Sequence, residues 1–307
     1  MPFTSFERNS SYIYIRENLH LIILFVSFSW PLECSFCVSD NYIDERDRQL
    51  LEGDKYTFFV LGRVMEGDCE LLLSDHKSLI ICYTGAPFPV WIWTKSGASL
   101  KEMDKAYLTA KENGLVDGEH NFNMKYELAD HFIKRASEDG IDLSVSLNMF
   151  AYDCISPIAP TGISDGSIHR CIKEDMEELT DFIDLFHREI GIDQKDRAGY
   201  EEDALNDINE GRTFFWKDAS GKNVASCKYG PNGNMASINL VFTRHDSRRK
   251  HYAENLVYQV TMLAKEEGFV PMLYTNADYV ASNACYEKIG YVLRGKLCTI
   301  GGSNADR

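Results

Sequence analysis

A chain of 307 residues is long enough for one large domain or two ordinary ones, and 44% hydrophobic with 26% charged residues allows a buried core. A net charge of −15 and a pI near 5.0 argue against nucleic acid, which needs a basic face, and suit an anionic membrane surface poorly. The acidity is instead compatible with a cationic substrate such as an amine.

Residues 1–41 hold the apolar run "LHLIILFVSFSWPLECSFCV". Ser27, Ser29 and Pro31 interrupt it well short of the roughly 20 residues a span requires. Arg16 and Glu17 cancel before it and no small-x-small site follows, so it makes a poor signal peptide. It reads as a buried element, as an amphiphilic appendage peripheral to function, or as an extension upstream of the natural start; the appendage is favoured. The nine cysteines show no regular spacing, and the lone C-x-x-C at Cys34–Cys37 lacks a second pair at zinc-site distance. They are expected to be reduced thiols of a cytoplasmic protein, with no metal.

Residues 42–155 form an expected N-terminal α+β lobe. "CELLLSD", "SLIICYT" and "FPVWIWT" read as short strands. Trp91–Trp93 is expected in the core rather than on a ligand platform. Ser99 can cap a helix with apolar positions at Leu100, Met103, Tyr107 and Leu108. "FNMKYELADHFIKRASEDG" predicts a second helix and "DLSVSLNMFAYDC" a strand. Residues 156–167, "SPIAPTGISDGS", read as a linker between domains. Residues 168–300 form the second expected domain and 301–307 a tail.

In the second half the predicted order is β-α-α-β-β-β-α-β-α-β, with three strands in an antiparallel meander. Ile238, Leu240 and Phe242 are expected on one strand face. After Thr243 the turn "RHD" leads to a helix capped by Asp246 or Ser247. Its stripe is Tyr252, Ala253, Leu256, Val257, Val260, Leu263 and Ala264. The turn carries Arg244, His245, Arg248, Arg249, Lys250 and His251, an island of positive charge in an acidic chain. A helix N-terminus has unpaired N–H groups and a positive dipole end, so cations placed there repel unless an anion sits between them. That pattern points to a phosphate-like ligand, the alternative being solvent-exposed basic side chains that pair with nearby Asp or Glu.

Positions 168–297 resemble the GNAT superfamily of acyl-CoA-dependent N-acyltransferases. "RRKHYA", Arg248 to Ala253, is similar to the family's [Q/R]-x-x-G-x-[G/A] loop. "SNACYEKIGY", Ser282 to Tyr291, matches its S-N-x-x-Y-x-K-x-G-[FY] block. The resemblance implies a mixed, mostly antiparallel central sheet flanked by helices, preceded here by a separate α+β lobe that carries no recognised motif. That lobe could itself be a diverged copy of the same fold.

The resemblance further implies acetyl-CoA as co-substrate. Arg248, Arg249, Lys250, His251, Tyr252 and Ala253 would hold its pyrophosphate, while Val241 and Thr243 would bind the pantetheine arm. Asn283 would contact that arm or ordered water, and Tyr286 would act as general acid. A small-molecule or peptide amine would attack directly in a ternary complex. His245 and Asp246 lie beside the turn as weak candidate bases, Glu254 is expected on a solvated face, and water-mediated deprotonation is the default. The departure is His251, which stands where the family has glycine. It is either an adaptation of the loop or a mark of decayed cofactor binding, and the corresponding alternative function is a non-catalytic CoA- or phosphate-binding module. The acceptor's identity and the oligomeric state, homodimer included, are left open.

Overall fold

The computed structural model describes residues 43–191 and 194–302, which belong to one compact unit. The apolar segment 1–41, Cys34–Cys37 and most of the tail lie outside the described residues. Helices α1 (Glu45–Glu52) and α2 (Phe59–Val64) come first, then strands β1 (Leu71–Ser74), β2 (Leu79–Tyr83) and β3 (Val90–Thr94). Helix α3 (Leu100–Glu112) begins at Ser99, whose side chain accepts from Glu102 N while Glu102 reaches back in a capping box. Strand β4 (Phe122–Met124), helix α4 (Tyr126–Glu138) and strand β5 (Leu143–Asp153) complete the first half.

The second half runs β6 (Ser167–Arg170), α5 (Met176–Ile190), α6 (Arg197–Glu210), β7 (Thr213–Lys217), β8 (Asn223–Asn232) and β9 (Met235–Thr243). It ends with α7 (Tyr252–Glu266), β10 (Val270–Asn276), α8 (Val280–Lys288) and β11 (Val292–Gly302). This is the order predicted for the second half. In the first half the prediction is corrected at Phe122–Met124. These residues form a strand rather than the start of a helix, because they are fully buried between β3 and β11. Tertiary pairing overrides their local preference.

The eleven strands among the described residues share one sheet, in the order β1-β2-β3-β4-β11-β5-β10-β9-β8-β7-β6. The expected linker 156–167 connects two of its strands, β5 and β6. β3 runs parallel to β4, and β9 parallel to β10. Between them β5 and β11 pair antiparallel along their whole length. Each half therefore presents two helices, an antiparallel meander, a helix, a strand parallel to the meander's last, a helix and a final central strand. The first half repeats the element order of the second, β6 aside.

Each final strand also fills the other half's core. Leu297 of β11 packs with Leu51, Phe58, Trp91 and Trp93, and Cys298 and Ile300 pack on its opposite face with Phe122 and Phe132. Tyr152 of β5 and the following Cys154 join Leu256, Val260 and Tyr286. Trp91 and Trp93 are buried, as expected. At Gly290, after α8, φ is +97 and a Cβ would lie 2.5 Å from the Ser156 carbonyl oxygen, so only glycine fits.

Because each half completes the other's core, the two should unfold together. Single-tryptophan variants reporting from Trp93 and from Trp216 are expected to give one denaturant midpoint. Leu297→Ala should lower both by the same amount, costing about 2–5 kcal/mol. Separate midpoints would show halves that fold on their own.

Candidate active site

The site starts from a gap in the sheet. The pairing of β9 with β10 ends at Ser237–Met272, and β10 continues along β5 instead. β9 then makes a bulge: Leu240 has φ +53, Asn239 Oδ1 accepts from Leu240 N at 2.7 Å, and the register to β8 slips between Ser226 and Lys228. This corrects the expectation that Ile238, Leu240 and Phe242 share a face. The extra residue turns Ile238 toward the α7 core and Leu240 and Phe242 toward the α5–α6 core.

Two cavities open beside the bulge. One, of about 290 Å³, is walled by Phe186, Leu240, Leu273, Tyr279 and, from the first half, Leu147 and Met149 of β5. Its Tyr274 is propped from the first half too, donating to Thr57 O at 2.6 Å and stacking with Trp91. The other, of about 580 Å³, is walled by the basic turn, the start of α7 and one face of α8. Glu189, Val241, Phe242, Ser282 and Tyr286 line both.

The turn is shaped by two left-handed residues, Arg249 and His251, each at φ +62. His251 is the N-cap of α7, in place of the expected Asp246 or Ser247, and no side chain caps the helix. Asp246 is instead drawn away to Lys222 at 2.8 Å. The first N–H of the helix to find a backbone acceptor is that of Asn255, on His251 O. His251 Nδ1 lies 3.0 Å from Glu254 Oε2. Glu254 is 7% exposed, which corrects its expected place on a solvated face: the imidazole covers it. Gly162 lies against the same ring, where a Cβ would come within 2.3 Å of Nδ1, and Asn255 Nδ2 donates to Gly162 O at 2.9 Å.

The predicted site residues fall into three groups. Val241, Thr243, Arg248, Arg249, His251, Tyr252, Ala253 and Tyr286 line the larger cavity. Within that group Tyr252 turns its hydroxyl to Asp165 Oδ1 at 2.6 Å, so its phenol is pushed up to about 12 by that carboxylate first and by burial second. Lys250 is exposed and lines neither cavity. Asn283 is buried and also lines neither; its Nδ2 donates to Ala277 O at 3.0 Å and ties α8 to the end of β10.

Arg248 donates from Nε to Thr243 O at 3.1 Å and from Nη2 to Glu189. His245 Nε2 stands 3.6 Å from the same carboxylate. Arg244 leaves the turn for Glu178 at 3.0 Å and the face of Phe182. Tyr286 is 8% exposed at the junction of the cavities, and burial raises its phenol far above the ordinary range. Cys285, in the larger cavity, is held as a thiol by burial, its pKa pushed up to about 11, which argues against a thiolate nucleophile. Sequence reasoning missed Glu189. The only signal was a carboxylate in the last turn of α5, where the helix dipole disfavours one.

Elsewhere, among the described residues, Asp44, Asp47 and His76 bring ligand-type atoms within 4.8 Å of one another. Asp47 is engaged there by Ser74 Oγ and His76 Nδ1. No helix among the described residues is long and apolar enough to cross a membrane.

The sheet is split between two parallel strands, with an uncapped basic turn at the split. Residues 176–291 match the Acetyltransferase (GNAT) family. The fold is shared with a GNAT-family acetyltransferase from Colwellia psychrerythraea at 13% identity and TM-score 0.54, covering 83% of this chain and 97% of that one. It is shared equally with a Drosophila protein at 12% identity and TM-score 0.54, covering 86% and 88%. A GCN5-related N-acetyltransferase from Kribbella flavida is similar at 12% and 0.53, covering 82% and 95%. These likenesses extend over both halves of the sheet. No curated protein sequence matches the chain.

A left-handed backbone at position 251 costs a residue with a Cβ roughly 1–2 kcal/mol. His251→Gly and His251→Ala both remove the imidazole from Glu254, so their difference isolates the backbone. The glycine variant is expected to be more stable than the alanine variant by about 1–2 kcal/mol in denaturant titrations. Equal midpoints would place residue 251 outside the left-handed region.

Proposed function

We propose that the protein is an acetyl-CoA-dependent N-acetyltransferase that acts on a primary amine in a ternary complex. The observation that carries this is the junction of the two cavities at Tyr286, one walled by basic side chains and free helix N–H groups, the other by apolar and neutral polar side chains with Glu189 as its one charge among the described residues. The residues present fit the co-substrate. Thr243 Oγ1 is buried without a partner on the wall of the larger cavity, and Arg248, Arg249, His251 and Lys288 supply positive charge there. Arg248, Arg249 and the N–H groups of His251 to Ala253 would hold phosphates, and the unpaired edge of β9 around Val241 and Thr243 would hold an amide-bearing arm. Bound there, acetyl-CoA would supply the activated acyl group.

Tyr286 holds a proton on Oη where the cavities meet. Its raised pKa keeps the phenol protonated at neutral pH. Burial that makes the phenol a weaker acid acts in the same direction on a thiolate released beside it, which becomes a stronger base for that proton. His251 fits an adapted turn: its φ of +62 lies in the left-handed region that glycine enters freely, and its ring is engaged by Glu254.

Acetyl-CoA should raise the melting temperature, since a ligand of the folded state alone must stabilise it. In a thiol-release assay over a panel of amines, Tyr286→Phe should lower kcat by about 100-fold or more with the thermal shift unchanged. A shift without turnover in the wild type would leave a non-catalytic CoA-binding module, and no shift at saturating acetyl-CoA would remove both readings.

A further inference from the structure

Glu189 is the only charged residue lining the smaller cavity among the described residues. It also lines the larger one, where Arg248 holds it. Both charges stand at the wrong end of a helix. Glu189 occupies the last turn of α5, where the negative dipole end repels a carboxylate; Arg248 stands just before α7, where the positive end repels a cation. Each is stabilised by the other. Neither is sealed in, with side chains 35% and 37% exposed, so the pair can exchange partners.

We propose that this pair couples the two cavities. A phosphate in the basic turn competes for Arg248, because an anion at a helix N-terminus gains from the dipole and the turn N–H groups as well as from the guanidinium. Glu189 is then left without its guanidinium at the rim of the smaller cavity. A carboxylate beside a helix C-terminus, in an otherwise uncharged cavity, favours a cation. Among the remaining walls, Phe186, Ile190, Leu273 and Tyr279 suit an apolar or aromatic body, beside the neutral polar Asn239, Thr275, Asn276 and Ser282.

The acceptor is therefore a protonated amine carrying an apolar or aromatic group, without a carboxylate of its own, which Glu189 would repel. It binds after the CoA ester. Glu189 is a specificity-determining residue for the amine and Arg248 the group that keeps it in reserve. This rests on the acetyltransferase reading above.

The test is calorimetric titration of the full chain with coenzyme A, then with 2-phenylethylamine, 2-phenylethanol and phenylalanine, each with and without coenzyme A. In the wild type, coenzyme A should strengthen 2-phenylethylamine binding by about fivefold or more, while the neutral alcohol and the carboxylate-bearing analogue gain less. Glu189→Gln should weaken amine binding about tenfold. The same variant should bind coenzyme A at least as tightly as the wild type, and by up to about two- to fivefold more tightly, because Arg248 is released from a partly exposed ion pair. Glu189→Asp, which keeps the charge, should recover part of the amine affinity.

A Glu189 that merely ties α5 to the turn would behave differently: Glu189→Gln would weaken both ligands together, and that result overturns the proposal. So does amine binding indifferent to coenzyme A. Wild type that fails to bind coenzyme A at all removes the acetyltransferase reading first, and the titration with coenzyme A alone reads that outcome separately.

Discussion

The antiparallel pairing of β5 with β11 is the constraint on which everything else hangs. The two strands are far apart in sequence and adjacent at the centre of the sheet, flanked on each side by a parallel pair. β10 pairs with β5 along one edge from Met272 to Asn276, while on its other edge the pairing with β9 stops at Ser237. The central pair thus holds β10 in place on the side away from the split. A strand from the first half also becomes a wall of the second half's cavity, through Leu147 and Met149. The first half shapes the site while its own helix turn takes no part in it.

Charge placement at the split inverts the usual preference of helix ends. Bases gather where α7 begins and an acid stands where α5 ends, so two unfavourable helix-dipole terms face one another across a partly exposed ion pair. The bulge at Leu240 contributes by geometry. Slipping the register by one residue sends Leu240 and Phe242 to the α5 side and leaves the β9 edge turned to the cavities. Backbone strain is concentrated in the same short region, at Leu240, Arg249 and His251, three of the four non-glycine residues with positive φ among the described residues. Such clustering is expected where a backbone is held for a ligand rather than for packing.

What the sequence disclosed and what it hid divide along physical lines. The element order of the second half was legible because amphipathic period and turn chemistry are local. "RRKHYA" and "SNACYEKIGY" were legible because charge and spacing are local too. Features fixed by distant partners were not. Phe122–Met124 looks helical until β3 and β11 are placed beside it, since nothing nearby says that all three residues will be buried. The alternation from Ile238 to Phe242 reads as one face because a bulge adds a residue without a marker such as glycine. Glu254 reads as solvated until the imidazole three residues earlier covers it. Glu189 became visible only when the end of α5 met Arg248, 59 residues later in the chain.

The repeat of element order in the two halves sharpens what separates them. The turn from β3 to α3 corresponds in order to the turn from β9 to α7. In the first, Ser99 caps the helix, Glu102 returns to the Ser99 N–H, and Lys95 pairs with Glu102 at 2.6 Å, so the helix start is satisfied from within. In the second there is no side-chain cap, the N-cap residue is left-handed, and the nearest carboxylates are engaged elsewhere, Asp246 by Lys222 and Glu254 by His251. One helix start is closed by its own side chains. The other is left open and ringed with positive charge, so the two halves differ most at the position where an anion would bind. The asymmetry is chemical: the open, basic helix start lies in the second half, while the first supplies walls, a prop and a central strand to the cavities beside it.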